Sequence, residues 1–503
     1  MAQSLDSILI VGGGFAAWAA AAALARATRA RIPITVVAPD AGPEPLEDEL
    51  MGSCRPGILR SHAALGIDEA QFMRATGATF KLGTVMRDWG APGHSFVHAF
   101  GDIGARLDSV AFHQLLNRLR LAGQPVAGPD EFSLAALATR AGRFAHPSAD
   151  RRSVASTYSY AYHFDAASAA AFLRELALKD GVRHRSGDIR EVLRREDGLL
   201  RAVVLPSGER LEAGFFIDCS GASSRLLGQA LEVPFDAWNQ WLPCDRVVHQ
   251  RVVRESAEPP PGVAAAHAAG WRLSLPLQGQ ELRAVFYSAA HLDDASAAQL
   301  LQLPADVPIP PATPLPCGRR RRFWVGNCVA VGAAAGLPDP LSAMGAQLIH
   351  DAVTRLVDLF PDQEPAERLI AEYERRTSVQ YERVRDFTAL HFALPDREDS
   401  GFWRERRHVR LPDSLEYRLK LFRNGGRLAA FDDEVHDESD WISVLSGLGV
   451  WPQRADPLTL GMIPEQVAQR IERMRQIMRQ AAEAMPAHGA YLRKLGLVAA
   501  RGR

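Results

Sequence analysis

The sequence carries almost no net charge: 58 Lys+Arg stand against 59 Asp+Glu over 503 residues. No whole-molecule field therefore draws nucleic acid or an anionic membrane. Near-neutrality also removes the repulsion that keeps copies apart, so a homodimer is an expectation. Cysteine is scarce. Cys54, Cys219, Cys244, Cys317 and Cys328 are odd in number and form no CxxC pair, which argues against a disulfide framework or a zinc cluster and for a reducing, cytoplasmic setting. No apolar stretch is long enough to span a bilayer, and the opening MAQSLDSILIVGGG lacks the basic start and apolar core of a secretory leader. The histidines, His94, His98, His163, His350 and His391 among them, fall into no HExxH or HxH spacing. They read as structural, and no metal site is expected. With no GxSxG elbow, no P-loop and no internal repeat, hydrolase and NTPase readings lack support.

What is present is an ordinary globular composition, 47% hydrophobic and 23% charged, long enough for two or three structural modules. Residues 7–11 form a short apolar run that leads into Gly12-Gly13-Gly14, and strong helix formers follow from Phe15 to Ala27. A second apolar run, Ile34-Thr-Val-Val-Ala38, closes a βαβ unit. The Gly12-x-Gly14-x-x-Ala17 fingerprint between strand and helix suits a pyrophosphate, whose charge the helix N-terminus stabilises. Tight helix–strand packing is the alternative use of the same glycines. The acid expected on the ribose is missing from Val37-Ala38-Pro39, which leaves Asp40 or the acids within residues 44–49 to replace it.

Two further apolar strands end in small residues: Phe216-Ile-Asp-Cys-Ser-Gly221, and the run from Val329 through Gly332 and Gly336 to Asp339-Pro340. In this order, after a dinucleotide fingerprint, they indicate an FAD-binding Rossmann-like α/β fold of the flavin monooxygenase type. An antiparallel hairpin is predicted for residues 271–277 and 281–288, and Asp165 should cap the helix after residues 160–164. Beyond residue 351 helical patterns dominate, most clearly over residues 464–485, where Val467, Ile471, Met474, Met478, Ala481 and Met485 recur at helical spacing. That stripe reads as core packing. The expected organisation is an FAD-binding module with an inserted mixed sheet over 1–350 and a mainly helical part over 351–503. The basic run 319–322 reads as a solvated strand entry rather than an anion site.

Several segments together resemble the flavin-dependent tryptophan halogenases: Ala78-Thr-Phe-Lys81-Leu-Gly83, Trp89, Phe96-Val-His98-Ala-Phe100-Gly101, Ala161-Tyr-His-Phe-Asp165, Pro243-Cys-Asp245 and Trp324-Val-Gly-Asn-Cys328. The C-terminal segments Arg385-Asp-Phe387, Phe402-Trp403 and Arg410-Leu-Pro-Asp-Ser414 are similar as well. The resemblance covers nearly the whole chain. It implies FAD reduced by a separate flavin reductase, chloride or bromide as co-substrate, and hypohalous acid that travels to a lysine beside a small aromatic, indole-type or carrier-tethered substrate. By resemblance that lysine is Lys81. FAD would be held by Gly12, Gly14, Phe15, Ala16, Ala17, Ile189, Gly332, Leu341 and Ala346, and halide by the backbone of Met344 and Gly345.

The departures from the family pattern are specific. Ser342 stands where the family carries a glutamate that works with the lysine, and a serine holds no negative charge near neutral pH; losing a positioned acid or base costs on the order of 10²–10⁴ in rate. Ala343-Met344 replaces a small polar pair, and Met344 adds bulk. The W-x-W-x-I-P motif reads Trp271-Arg-Leu273-Ser-Leu275-Pro276, and the family's flavin loop is replaced by Glu49-Leu-Met-Gly52-Ser-Cys54. These changes keep two other readings open: an FAD monooxygenase or oxidase that does not halogenate, and a non-catalytic relative that binds flavin weakly.

Overall fold

The computed structural model describes residues 5–39, 50–256, 258–362 and 366–498. The chain divides into two compact units whose segments interleave in sequence: Met1–Ala78, Phe164–Asn239 and Pro316–Glu382 form the first, and Thr79–His163, Gln240–Leu315 and Arg383–Arg503 the second.

The first unit is built on a six-stranded sheet. Ile8–Val11 lies between Phe215–Asp218 and Ile34–Ala38, parallel to both, and Cys328–Ala330 and Arg183–Ser186 extend the parallel set on either side. Trp324–Val325 closes one edge as the antiparallel arm of a short hairpin. The central strand ILIV is buried along its whole length, as a strand covered on both faces must be. The helix Phe15–Ala27 packs against Ala166–Lys179 and Gly345–Asp358. Its alanines are buried nearly all round, which lets neighbouring backbones approach closely. At the end of Phe215–Asp218, the Asp218 carboxylate accepts backbone N–H bonds from Leu226 at 2.9 Å and Leu227 at 2.8 Å. The charge of that buried acid is thus used to pin the loop that follows the strand.

The second unit holds a seven-stranded sheet in the order Thr313–Pro314, Arg246–Val253, Gln280–Tyr287, Gly270–Pro276, Val263–His267, Gly83–Arg87, Ser95–Ala99. All its pairings are antiparallel except that of Val263–His267 with Gly83–Arg87. The expected hairpin is found one residue earlier, as Gly270–Pro276 with Gln280–Tyr287, and Gly279 supplies the positive φ of +70° at the turn. A separate two-stranded ribbon pairs Thr79–Lys81 with Ala161–His163.

Among the described residues no strand follows Gly336–Leu337. The helix Pro464–Ala484 buries Val467, Ile471, Met478 and Ala482. Val467 and Ile471 join a core with Phe112, Leu115, Leu116 and Phe132, and Met474 packs against it half-buried. The stripe is core: Met485 at its far end is buried as expected, and only at Ala481 does the neighbouring Ala482 take the buried place. All five cysteines are buried, and no described helix is long and apolar enough to cross a membrane.

Candidate functional site

In the first unit the glycine turn has a shape that only glycine fits. Gly12 has φ +129°, and a Cβ on it would stand 2.1 Å from the Cys219 carbonyl oxygen; a Cβ on Gly13 would stand 2.8 Å from the Ala38 Cβ. Gly14 is the N-cap of Phe15–Ala27, and no side chain caps that helix start; a helix start of this kind suits an anion. Phe15, Ala16 and Ala17 are buried in the first helical turn. Gly332, at φ +71°, lies so close to the same turn that a Cβ would stand 2.8 Å from the Ala16 Cβ. Ile189 is buried and its carbonyl oxygen accepts a hydrogen bond from the Arg225 guanidinium. Asp40 and the acids at 44–49, the candidates for the ribose, lie outside the described residues, Glu49 of the 49–54 loop among them. The rest of that loop is described. Met51 packs against the start of Gly345–Asp358, where a Cβ on Gly345 would stand 2.7 Å from the Met51 Cγ.

The loop that leads into Gly345–Asp358 is a tight 3₁₀ turn, Pro340–Ser342, capped by the Asp339 carboxylate, which accepts the Leu341 N–H at 3.0 Å. Ala343 follows in the left-handed region at φ +54°. Ser342 is 5% exposed and its Oγ is buried with no hydrogen-bond partner. An orphaned hydroxyl in a protein interior costs about 1–3 kcal/mol. Met344 is buried as the N-cap of the helix, Gly345 is its first residue, and no side chain caps this start either. Ala346 is buried behind it. Farther along, the His350 ring meets Phe15 edge-on at 5.7 Å. Burial lowers the His350 pKa to about 4, and burial with the nearby His350 lowers that of His62 to about 3.

In the second unit Lys81 is the last residue of its ribbon strand and is only 4% exposed. Its ammonium lies 5.2 Å from the centroid of the Phe100 ring, close enough for the ring's negative face to attract it. The flanking motif residues are held by specific bonds. Trp89 Nε1 donates to the Ala264 carbonyl at 3.0 Å, and Trp403 Nε1 to that of His267 at 2.9 Å. His98 Nε2 bonds the Asp440 carboxylate at 2.7 Å. Phe387 stacks on His436 with centroids 3.7 Å apart. Trp271 stacks on Phe286 at 4.1 Å, and Leu273 packs half-buried against Leu275, Leu277 and Leu282.

By spacing alone His163 reads as a structural histidine, and His488 carries no sequence signal. Both line a small cavity with Lys81, Phe80, Arg143 and Phe144. The signal was present in part, since His163 sits in the Ala161-Tyr-His-Phe-Asp165 motif, but nothing in its spacing ties it to residue 81. The basic run 319–322 is a paired strand entry, with Arg319 on Glu382 at 3.1 Å and Arg321 on Asp236 at 2.7 Å.

Comparisons with known proteins agree with this geometry. The chain matches the tryptophan halogenase family over residues 7–464. It is 28% identical to the tryptophan 7-halogenase RebH of Lentzea aerocolonigenes, over 98% of this chain and 99% of that protein. It superposes on BrvH, a flavin-dependent halogenase from Brevundimonas sp. BAL3, with a TM-score of 0.92 at 34% identity, covering 98% of this chain and 99% of the other. Xcc4156, a flavin-dependent halogenase from Xanthomonas campestris, gives a TM-score of 0.91 at 33% identity, covering 98% of this chain and 99% of that one. The chain belongs to the flavin-dependent tryptophan halogenases.

Proposed function

We propose that this protein halogenates an aromatic, indole-type substrate, using FAD delivered reduced by a separate flavin reductase, oxygen, and chloride or bromide. The observation that carries this reading is the burial of Lys81 beside the Phe100 ring. A lysine is seldom buried without a task, because removing an ammonium from water is costly. There its amine donates a hydrogen bond to hypohalous acid, or, when deprotonated, takes its halogen to form a haloamine as the O–halogen bond breaks and the hydroxide leaves with the amine proton as water.

The glycine cradle around Gly12, Gly14 and Gly332 and the uncapped start of Phe15–Ala27 suit the pyrophosphate of FAD. On this reading Phe15, Ala16, Ala17, Ile189, Leu341 and Ala346 complete the binding surface. Bound FAD supplies the oxygen chemistry that converts halide to an oxidant. The amides of Met344 and Gly345, at a second uncapped helix start, would hold the halide, and the Met344 side chain need not be a ligand. Ser342 takes the place of the family's carboxylate, so turnover falls short of that of a relative that keeps the acid.

Incubation of the purified protein with FAD, a flavin reductase, bromide or chloride, and a broad panel of indoles tests this. Halogenated product is expected, and it should be absent without halide. Hydroxylated product that needs no halide, or no product across the panel, contradicts it.

A further inference from the structure

The ribbon that carries Lys81 brings a second nitrogen base to the same face. Thr79 pairs directly with His163 and Lys81 with Ala161. Directly opposed residues of an antiparallel pair share a face, and residues two apart on a strand do too. Lys81 and His163 are therefore diagonal neighbours, and the small Ala161 opposite Lys81 leaves room between them. His163 is 3% exposed, and its Nδ1 is buried with no hydrogen-bond partner. The other side of its ring is pressed against the backbone, since a Cβ on Gly262 would stand 2.8 Å from Nε2. Burial, then the charge of Lys81, then His488 hold the His163 pKa well below its ordinary value. The imidazole is thus neutral at working pH and offers one lone pair.

Lys81 and His163 line a cavity of about 20 Å³, and about 10–15 Å³ suffices for one water molecule. The other titratable groups facing it are accounted for. His488, from the helix His488–Lys494, accepts the Phe80 N–H at 3.1 Å through Nε2, and burial lowers its pKa to about 4. The Arg143 guanidinium donates to the Met485 carbonyl. Glu258 is held by the Gly489 N–H at 2.8 Å and the Arg493 guanidinium at 2.9 Å.

We infer that His163 is the positioning residue for Lys81: through one water in this cavity its Nδ1 accepts a hydrogen bond relayed from the Lys81 ammonium. The relay fixes the direction of the amine and gives its proton a path out. The inference rests on the reading of Lys81 as the reactive amine, but its test needs no turnover.

The protein has only four lysines, Lys81, Lys179, Lys420 and Lys494. The full-length chain with ¹³C at lysine Cε therefore gives four titrating signals, and the one lost in K81R is Lys81. An acceptor of the ammonium's hydrogen bond favours the charged form. In H163F the Lys81 midpoint is expected to fall by about 0.5 pH unit or more, in H163N to recover at least half of that, and in G262A, which displaces the ring sterically, to fall as in H163F. Long-range ¹H–¹⁵N correlation is expected to place the His163 proton on Nε2. A Lys81 midpoint the same in all four proteins, or a proton on Nδ1, overturns the inference. Either result would leave the halogenation assay to be judged separately.

Discussion

The ammonium of Lys81 stands 5.2 Å from the ring centroid of Phe100, both on the second unit and both almost fully buried. The ring stabilises the cation by about 0.5–2 kcal/mol, which offsets part of its desolvation. Lys81→Met keeps the length and apolar stem of the side chain while removing the amine. Product formation should fall by at least about a hundredfold, while the thermal midpoint holds or rises. A fall in activity that only tracks unfolding would show that Lys81 serves packing alone.

The glycine cradle predicts a backbone effect. Gly12→Ala forces a Cβ to within 2.1 Å of the Cys219 carbonyl oxygen and places a side chain at φ +129°. Strain of this kind costs about 1–3 kcal/mol, and the neighbouring strand must move aside. Fluorescence titration with FAD should show binding weakened tenfold or more, together with a lower melting temperature. Unchanged affinity would mean that the turn does not approach the cofactor.

Ser342 predicts in two directions. Its hydroxyl makes no hydrogen bond in a buried position, so Ser342→Ala should leave stability unchanged within about 0.5 kcal/mol or improve it. On the proposed function, Ser342→Glu supplies the missing acid and should raise halogenation by about tenfold or more, at some expense in stability because a carboxylate is harder to bury. Chromatographic quantification of product beside a thermal scan separates the two effects. No gain in product from the glutamate would mean that the acid has no partner to work with here.

The buried histidines of the first unit predict a pH effect on stability. The pKa of His62 is lowered to about 3 and that of His350 to about 4 in the folded state, mainly by burial. An unfolded histidine titrates near 6.5, so between about pH 6.5 and 4 the unfolded chain binds more protons than the folded one. Their contribution is complete above pH 6.5 and is lost as the pH falls toward 4, by up to about 1.4 kcal/mol per pH unit for each. Denaturant unfolding from pH 7 to 4.5 should show this slope, and His350→Phe should flatten it. An equal slope in wild type and variant would place the effect elsewhere.

What could be read in advance followed from local chemistry. Glycines at positions that demand positive φ, the alanine-rich helix after them, the Asp165 cap, whose carboxylate accepts the Ser168 N–H at 2.7 Å, and the hairpin around Gly279 are each settled within a few residues. The resemblance to a known family supplied the remaining candidates for the site. What stayed hidden depends on pairing across long stretches of chain. Residues 79–81 and 161–163 meet only through the ribbon, so no spacing reveals that His163 shares a face with Lys81. The ring contact of Gly262 with His163 is equally silent. Ser342 could be singled out from the sequence, but the isolation of its hydroxyl from every hydrogen-bond partner is a property of the packed loop and not of the residue.

The interleaving of the two units governs how the chain can acquire its structure as it leaves the ribosome. The first strand, Ile8–Val11, emerges early, yet its flanking partner Phe215–Asp218 comes some two hundred residues later, and Cys328–Ala330 beyond that. The other unit draws on the chain from residue 79 to its final helices. Neither can complete itself before most of the polypeptide exists, so apolar strand edges wait exposed during synthesis. Slow translation at low temperature or chaperone supply should therefore raise the soluble yield, whereas truncation at the C-terminal side would strand the earlier half of the second unit without its partners.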